Sequence, residues 1–380
     1  YSRVLLPQFV RGRIERESLF LRTFERYLEK RIDLYPGEEV LAVNFDTREL
    51  LTSAKQRVGF EKLLIASGGR VKPWRFSDER ILRLQTILNG ERARRVLKTP
   101  AVGPDSAALV VGGGFIALEF IESAVAYGYR VNVVFRGKRF FGEHIDDAGW
   151  NILKENFERH RVFVTPEVEP REFSRTGETC TVFLSDGKTL RVSWVGVGIG
   201  LLKNFDIFEG SGLVIGQGIG VNEYLETNIP RVGAAGDVAE YYDVIVGDKT
   251  CSGNWTSSFL QGKTAGINMS APDKEKREVY RAVSAYSITN LGYQITFLGS
   301  TLPEINGTSR ETEDAVTRVW QDGTAYERLF FKGDVLVGAV LLNRFMDKTS
   351  LAKAIAEQRD LGAVKPMLED PEFDVASIFK

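Results

Sequence analysis

Gly112-x-Gly114-x-x-Ala117 follows an apolar run, Ala107 to Val111, and opens a stretch, Phe115 to Tyr127, that places Ile116, Phe120 and Ala124 on one helical stripe. Gly128 stops that stripe, and a second apolar run follows from Val131 to Phe135. Strand, glycine turn, helix and strand in about thirty residues make a βαβ unit with its right-handed crossover. The chemistry suited to such a turn is the binding of a dinucleotide pyrophosphate. The first glycine permits the turn, the second lets phosphate approach the backbone, and a small third residue keeps helix against strand. The free N–H groups and positive end of the helix then stabilise the anion.

The second strand runs out at Phe135-Arg136-Gly137-Lys138-Arg139, where a site for NAD ordinarily carries a carboxylate for the ribose 2′-hydroxyl. Three cations and no carboxylate suit a 2′-phosphate, so NADPH is expected over NADH; the plain alternative is that Arg136, Lys138 and Arg139 are solvated strand-end cations. Cys180 and Cys251 form no CxxC or CxxxxC pair and read as solitary thiols. His144 and His160 flank one amphipathic stretch and are expected at the surface.

These residues need a large frame. The chain has 380 residues, long enough for two or three domains, with 43% apolar and 27% charged residues, the proportions of a globular protein. Fifty Lys and Arg against 51 Asp and Glu leave no net field to draw it to nucleic acid or an anionic membrane. No run approaches a membrane span and the opening shows no signal pattern, so a cytoplasmic protein without metal is expected. Helices are expected over Glu17 to Lys30, Asp146 to His160, Trp255 to Met269 and Ser350 to Glu357. Strands are expected over Val40 to Phe45, Lys62 to Ala66, Val162 to Thr165, Ser193 to Ile199, Ser287 to Gln294, Tyr326 to Phe331 and Val335 to Leu342, the last two joined at Gly333-Asp334. The charged stretch Pro73 to Pro104 reads as a crossover between domains, and the chain past Gly200 as loop-rich.

The stretch Gly112-Gly113-Gly114-Phe115-Ile116-Ala117-Leu118-Glu119 resembles the nucleotide turn of the FAD-dependent pyridine nucleotide-disulfide oxidoreductases, a family that includes glutathione reductase, the nitrite reductase flavin module, NADH oxidases and ferredoxin and rubredoxin reductases. Lys62 to Gly69 is similar to that family's crossover, Ala234-Ala235-Gly236-Asp237 to its second flavin motif, and Trp255 to Met269, with Gln261-Gly262, to the helix that points at the flavin ring. The resemblance implies an α/β fold with two Rossmann-like nucleotide-binding domains and a C-terminal α+β domain. An FAD domain from residues 1–76 and 203–272 would hold an inserted NAD(P) domain, 77–202, and be followed by an interface domain, 273–380. It further implies that Glu119 contacts the nicotinamide carboxamide and that Phe115 gates the flavin face. Asp237, Gly236, Ser67, Gly68, Gln261, Arg3 and Gly200 would line the cofactor sites.

Two departures shape the expected reaction. The opening Tyr1 to Pro7 is similar to the segment that passes the flavin, yet carries neither the family's redox cysteine nor the lysine that ferredoxin and rubredoxin reductases often place there. A thiol–disulfide route is thereby disfavoured. NAD(P)H would reduce FAD, and electrons would pass to a small redox protein, a small molecule or dioxygen. The family's N-terminal GxGxxG unit for the ADP half of FAD does not stand before Tyr1 in this sequence. A fragment, an ADP site on another polypeptide, and a protein without flavin serving as a nucleotide-binding subunit all remain open, as does a homodimer.

Overall fold

All five residues of Ala107–Val111 are buried, and their side chains divide by parity between two cores. Ala108 and Val110 face the helices, whereas Ala107, Leu109 and Val111 face a small antiparallel sheet. Burial on both sides is the usual condition of a central parallel strand and explains why the run does not alternate with polar residues. The computed structural model describes residues 1–98, 106–301, 304–305, 308–309 and 315–379. Its central parallel sheet has the order Ile81–Leu82, Trp194–Val197, Ala107–Val111, Arg130–Phe135, Val162–Pro166. This is a Rossmann-like core, with Phe115–Ala126 as the first crossover helix and Asp147–Arg159 as the second. Asp146 caps the latter, accepting from the Gly149 N–H at 3.1 Å.

The helix Leu6–Val10 packs on Ile87–Lys98 so closely that a Cβ on Gly90 would come 2.7 Å from Leu6. That contact ties the opening of the chain to the parallel sheet. A second group of strands has its own core of Ile65, Ile219, Leu225, Ala234, Val238 and Tyr241. In it Leu63–Ile65 runs parallel to Val232–Ala234, and Ile219–Val221 parallel to Ala239–Asp243. A short antiparallel ribbon, Arg70–Val71 with Leu201–Leu202, links the two groups. Past Ser284 the chain builds a five-stranded antiparallel sheet in the order Ala285–Asn290, Tyr293–Gly299, Val335–Leu342, Tyr326–Lys332, Ala315–Val319. Lys348–Ala356 packs on one face, through Leu351, Ala354 and Ile355. The other face, with Ile295, Phe297, Tyr326 and Phe330, joins the core that covers the parallel sheet.

Several expectations change. The helix expected over Glu17 to Lys30 is broken into a 3-10 turn, Arg16–Leu19, and a six-residue helix, Phe24–Glu29, with no buried residue. Leu19 is fully buried, and the chain leaves it extended, so no continuous apolar face exists to support a longer helix. Within the supposed crossover, Ile81–Leu82 forms the edge of the parallel sheet and Ile87–Lys98 is a helix; residues 99–104 lie outside the described residues. The single strand expected over Ser287 to Gln294 is a hairpin, because Leu291 (φ 48°) and Gly292 (φ 81°) make a two-residue turn. The loop-rich reading past Gly200 missed Ile219–Val221, and no expectation covered the antiparallel sheet Pro170–Thr176, Thr179–Leu184, Thr189–Val192. His144 is not a surface residue: its ring lies edge-on to Phe297, and Nδ1 is 2.9 Å from Thr301 Oγ1. Among the described residues no helix is long and apolar enough to cross a membrane.

Candidate functional site

At Gly112 the chain leaves the central strand with φ +133°, in a region that L side chains rarely adopt, and a Cβ would overlap the carbonyl oxygen of Gly198. Gly198 ends the neighbouring strand, donating its N–H to Val111 O at 2.8 Å, and a Cβ there would come 2.7 Å from the Ala117 amide nitrogen. Gly112, Gly198 and Ala117 therefore meet backbone to backbone, and this contact seats the helix on the sheet. Gly114 differs, because nothing lies within 4 Å of the position its Cβ would take. It is the N-cap of Phe115–Ala126 and offers no side chain to the first-turn amides. Open space, donors without a side-chain cap and the positive helix end coincide at Gly114.

The segment after the second strand folds back over this turn, and Phe141 donates its N–H to Gly113 O at 2.7 Å. The three expected cations part company there. Arg136 and Lys138 are exposed, whereas Arg139 is held by Asp147 at 2.7 Å and Glu143 at 2.9 Å. Those carboxylates raise the Arg139 pKa and occupy its guanidinium.

The Phe115 ring, expected as a gate, packs against Tyr286 (4.4 Å between centroids), Phe141 (4.9 Å) and Phe297 (5.0 Å). Tyr286 and Phe297 meet the Phe115 ring edge-on and Phe141 is tilted against it, so four rings pack together. Glu119 lies on the same helix, and its Oε2 accepts from Arg11 Nη1 at 2.7 Å. Burial pushes its pKa up, while Arg11 opposes that shift. Arg11 also reaches Glu122 at 3.1 Å, and Asn290, from the antiparallel sheet, donates to Glu122 Oε2 at 3.1 Å and to Leu118 O at 3.0 Å. Tyr286 is pushed up to about 12 by burial and by the nearby Glu119.

A second cluster of expected residues sits beyond the carboxyl ends of the parallel pair Leu63–Ile65 and Val232–Ala234, where α/β sheets offer their crevices. Ala235 N–H donates to Ile65 O at 3.0 Å, which brings the loop of Ser67 and Gly68 beside that of Gly236 and Asp237. Gly68 (φ +63°) has open space around it, and Ser67 is exposed. Asp237 accepts from Ser258 Oγ at 3.1 Å. Gln261, expected at the cofactor, is wholly buried and accepts the Gly236 N–H at 2.7 Å, bracing that loop. Gly200 (φ +94°) receives the Lys72 N–H at 3.1 Å, on the ribbon between the two clusters. Arg3 is exposed, and the neighbouring Tyr1 reaches towards these loops, its hydroxyl donating to Gln85 O while the Gln85 side chain donates to Gly69 O at 2.6 Å.

The sequence reading missed Gly198, Arg11, Asn290 and Tyr286. For Gly198 the sequence held a signal, a glycine ending a buried strand; Arg11 and Asn290 reach the helix from far away in sequence, and no local pattern marks them. Both cysteines are free, Cys180 buried with its thiol pushed up to about 11, and Cys251 with Lys203 Nζ 3.0 Å from its sulfur. Among the described residues no group of His, Cys, Asp and Glu is placed to hold a metal ion.

The assimilatory nitrate reductase electron transfer subunit of Bacillus subtilis is 22% identical over 375 residues, covering 98% of this chain and 46% of that protein. Putidaredoxin reductase of Pseudomonas putida is 28% identical over 248 residues, covering 63% of this chain and 57% of that one. The chain thus spans about half the length of these curated relatives. In fold it is similar to the solved putidaredoxin reductase–putidaredoxin complex, with a TM-score of 0.86 at 20% identity over 99% of this chain and 88% of that chain. A model of the family described as pyridine nucleotide-disulphide oxidoreductase matches residues 1–262, well over half the sequence, and the chain belongs to that oxidoreductase family.

Proposed function

We propose that this protein takes a hydride from NAD(P)H and passes the electrons, through FAD, to an acceptor without using a redox disulfide. The observation that carries the proposal is the turn at 112–117, where Gly112 and Ala117 close against Gly198 of the neighbouring strand and Gly114 faces open space at the start of a helix. That arrangement suits a pyrophosphate. FAD fits the second cluster, where the open backbone at Gly68, the positive φ at Gly236 and the Asp237 carboxylate would hold it; when bound, it supplies the hydride acceptor. Hydride transfer needs orientation more than acid–base chemistry, and this chain's part is to orient. Glu119 would accept a hydrogen bond from the nicotinamide carboxamide, and Phe115, held by Tyr286 and Phe297, would form a wall of the pocket and exclude water. Two free cysteines, one of them buried, support a route without thiol exchange.

Arg136 and Lys138 are the cations exposed to meet a 2′-phosphate, which favours NADPH. The protein, loaded with FAD, should show flavin absorption that bleaches anaerobically on adding NADPH, and Arg136→Glu should lower kcat/KM for NADPH about tenfold while sparing NADH. A tenfold preference of the unmodified protein for NADH would sink the NADPH assignment, and a nucleotide that never bleaches the flavin would sink the activity. A small redox protein is the proposed acceptor, since a relative of similar fold was solved with putidaredoxin. A second reading, the electron-transfer module of a larger reductase, is favoured by the match over 98% of this chain to a nitrate reductase electron transfer subunit.

A further inference from the structure

Three separate parts of the chain meet around the Glu119 carboxylate. Arg11 comes from the C-terminal end of the helix Leu6–Val10, Glu122 from the same helix as Glu119, and Tyr286 and Asn290 from the antiparallel sheet. The Arg11 side chain is 3% exposed, and those of Glu119 and Glu122 are 12% and 13% exposed. One enclosed guanidinium thus lies between two largely enclosed carboxylates. The two are not served alike. Glu122 also receives Asn290 and lies 3.6 Å from the more exposed Arg13, whereas among the described residues Arg11 is the one cation within 4 Å of Glu119.

We propose that Arg11 is the positioning residue of the nicotinamide subsite, holding Glu119 ionised and aimed, with Glu122 competing for the same guanidinium. The inference rests on the reading that Glu119 contacts the nicotinamide. A carboxylate out of water accepts a proton unless an opposite charge offsets the loss of hydration. Burial and Glu122 push Glu119 towards protonation; Arg11 pushes the other way, with a smaller contribution from Arg13. Tyr286, itself held neutral by burial, adds no charge of its own near neutral pH. A protonated Glu119 has lost acceptor capacity, so nucleotide affinity should fall on the acid side at a midpoint that the Arg11 charge keeps low.

The test is binding, without turnover. The Kd for NADPH is measured by tryptophan quenching from about pH 5 to pH 9. In Arg11→Gln the acid midpoint should rise by about one pH unit or more, with affinity weakened several-fold between the two midpoints, and Arg11→Lys should restore most of it. Glu122→Gln should move the midpoint the opposite way, which keeps the idea testable should Arg11→Gln fail to fold. In a Glu119→Gln background the Arg11→Gln change should add less than about twofold. An unmoved midpoint in Glu122→Gln and in any folded Arg11 variant, or an Arg11→Gln effect undiminished in the Glu119→Gln background, overturns the role of Arg11. A Glu119→Gln protein with unchanged Kd and pH profile overturns instead the reading of Glu119 on which it rests.

Discussion

Gly112 and Gly114 share one turn and differ in what a methyl group would meet. At Gly112 the backbone, with φ +133°, lies outside the regions open to L residues and the neighbouring strand's carbonyl occupies the Cβ position; at Gly114 φ is −137° and the space is open. Gly112→Ala should therefore destabilise the fold by about 2 kcal/mol or more, read by urea denaturation. Gly114→Ala should cost about 1 kcal/mol at most, the ordinary loss of a glycine N-cap, yet weaken NADPH binding about tenfold by calorimetry. Equal stability losses for the two, or full NADPH affinity in Gly114→Ala, would show that the open face is not where the pyrophosphate lies.

Elements of the antiparallel sheet are held by a charge pair that the sequence does not advertise. Arg318 and Glu327, on the paired strands Ala315–Val319 and Tyr326–Lys332, are both wholly enclosed and 2.7 Å apart. The second guanidinium nitrogen of Arg318 donates to the carbonyls of Asp370, Pro371 and Phe373, at 3.2, 2.9 and 2.7 Å, and so clamps the C-terminal segment to the sheet. Burial and the neighbouring Asp347 push the Glu327 pKa up to about 8, against the pull of Arg318, so removing Arg318 takes away the nearest cation that offsets this burial. Arg318→Met should lower stability by about 3–5 kcal/mol in urea titration, and adding Glu327→Leu should recover part of that loss. A double variant no more stable than the single one would count against an ion-pair origin.

The whole molecule is joined where the parallel core meets the antiparallel sheet, and His144 lies at that junction between Phe297 and Thr301. Burial lowers its pKa to about 4 from an ordinary 6.5. The unfolded chain therefore binds the proton first, and stability is lost as pH falls from about 6.5 to about 4. The shift corresponds to up to about 3 kcal/mol. The stability difference between the natural protein and His144→Gln, measured by urea denaturation at a series of pH values, should change across that window and stay constant above it. A difference independent of pH would place the ring in water.

The βαβ unit at 107–135 was legible because it rests on local physics: a buried strand must be apolar, a tight turn needs glycine, and helix faces repeat at a fixed spacing. Gly112, Gly114 and Ala117 meet that requirement within six residues. The hairpin at Leu291-Gly292 and the helix Ile87–Lys98 were not legible, since the first lacks the usual Asn-Gly signal and the second is dense with arginine. Which cations remain open to a nucleotide was settled only by folding, which paired Arg139 with Glu143 and Asp147 and left Arg136 and Lys138 exposed. The tertiary structure likewise set the Phe115 ring against Tyr286 and placed Arg11 beside Glu119, 108 positions away. Charge partners and ring neighbours far apart in sequence obey no local period. Their meeting is decided by how sheets and helices pack, and only there does this site acquire its electrostatics.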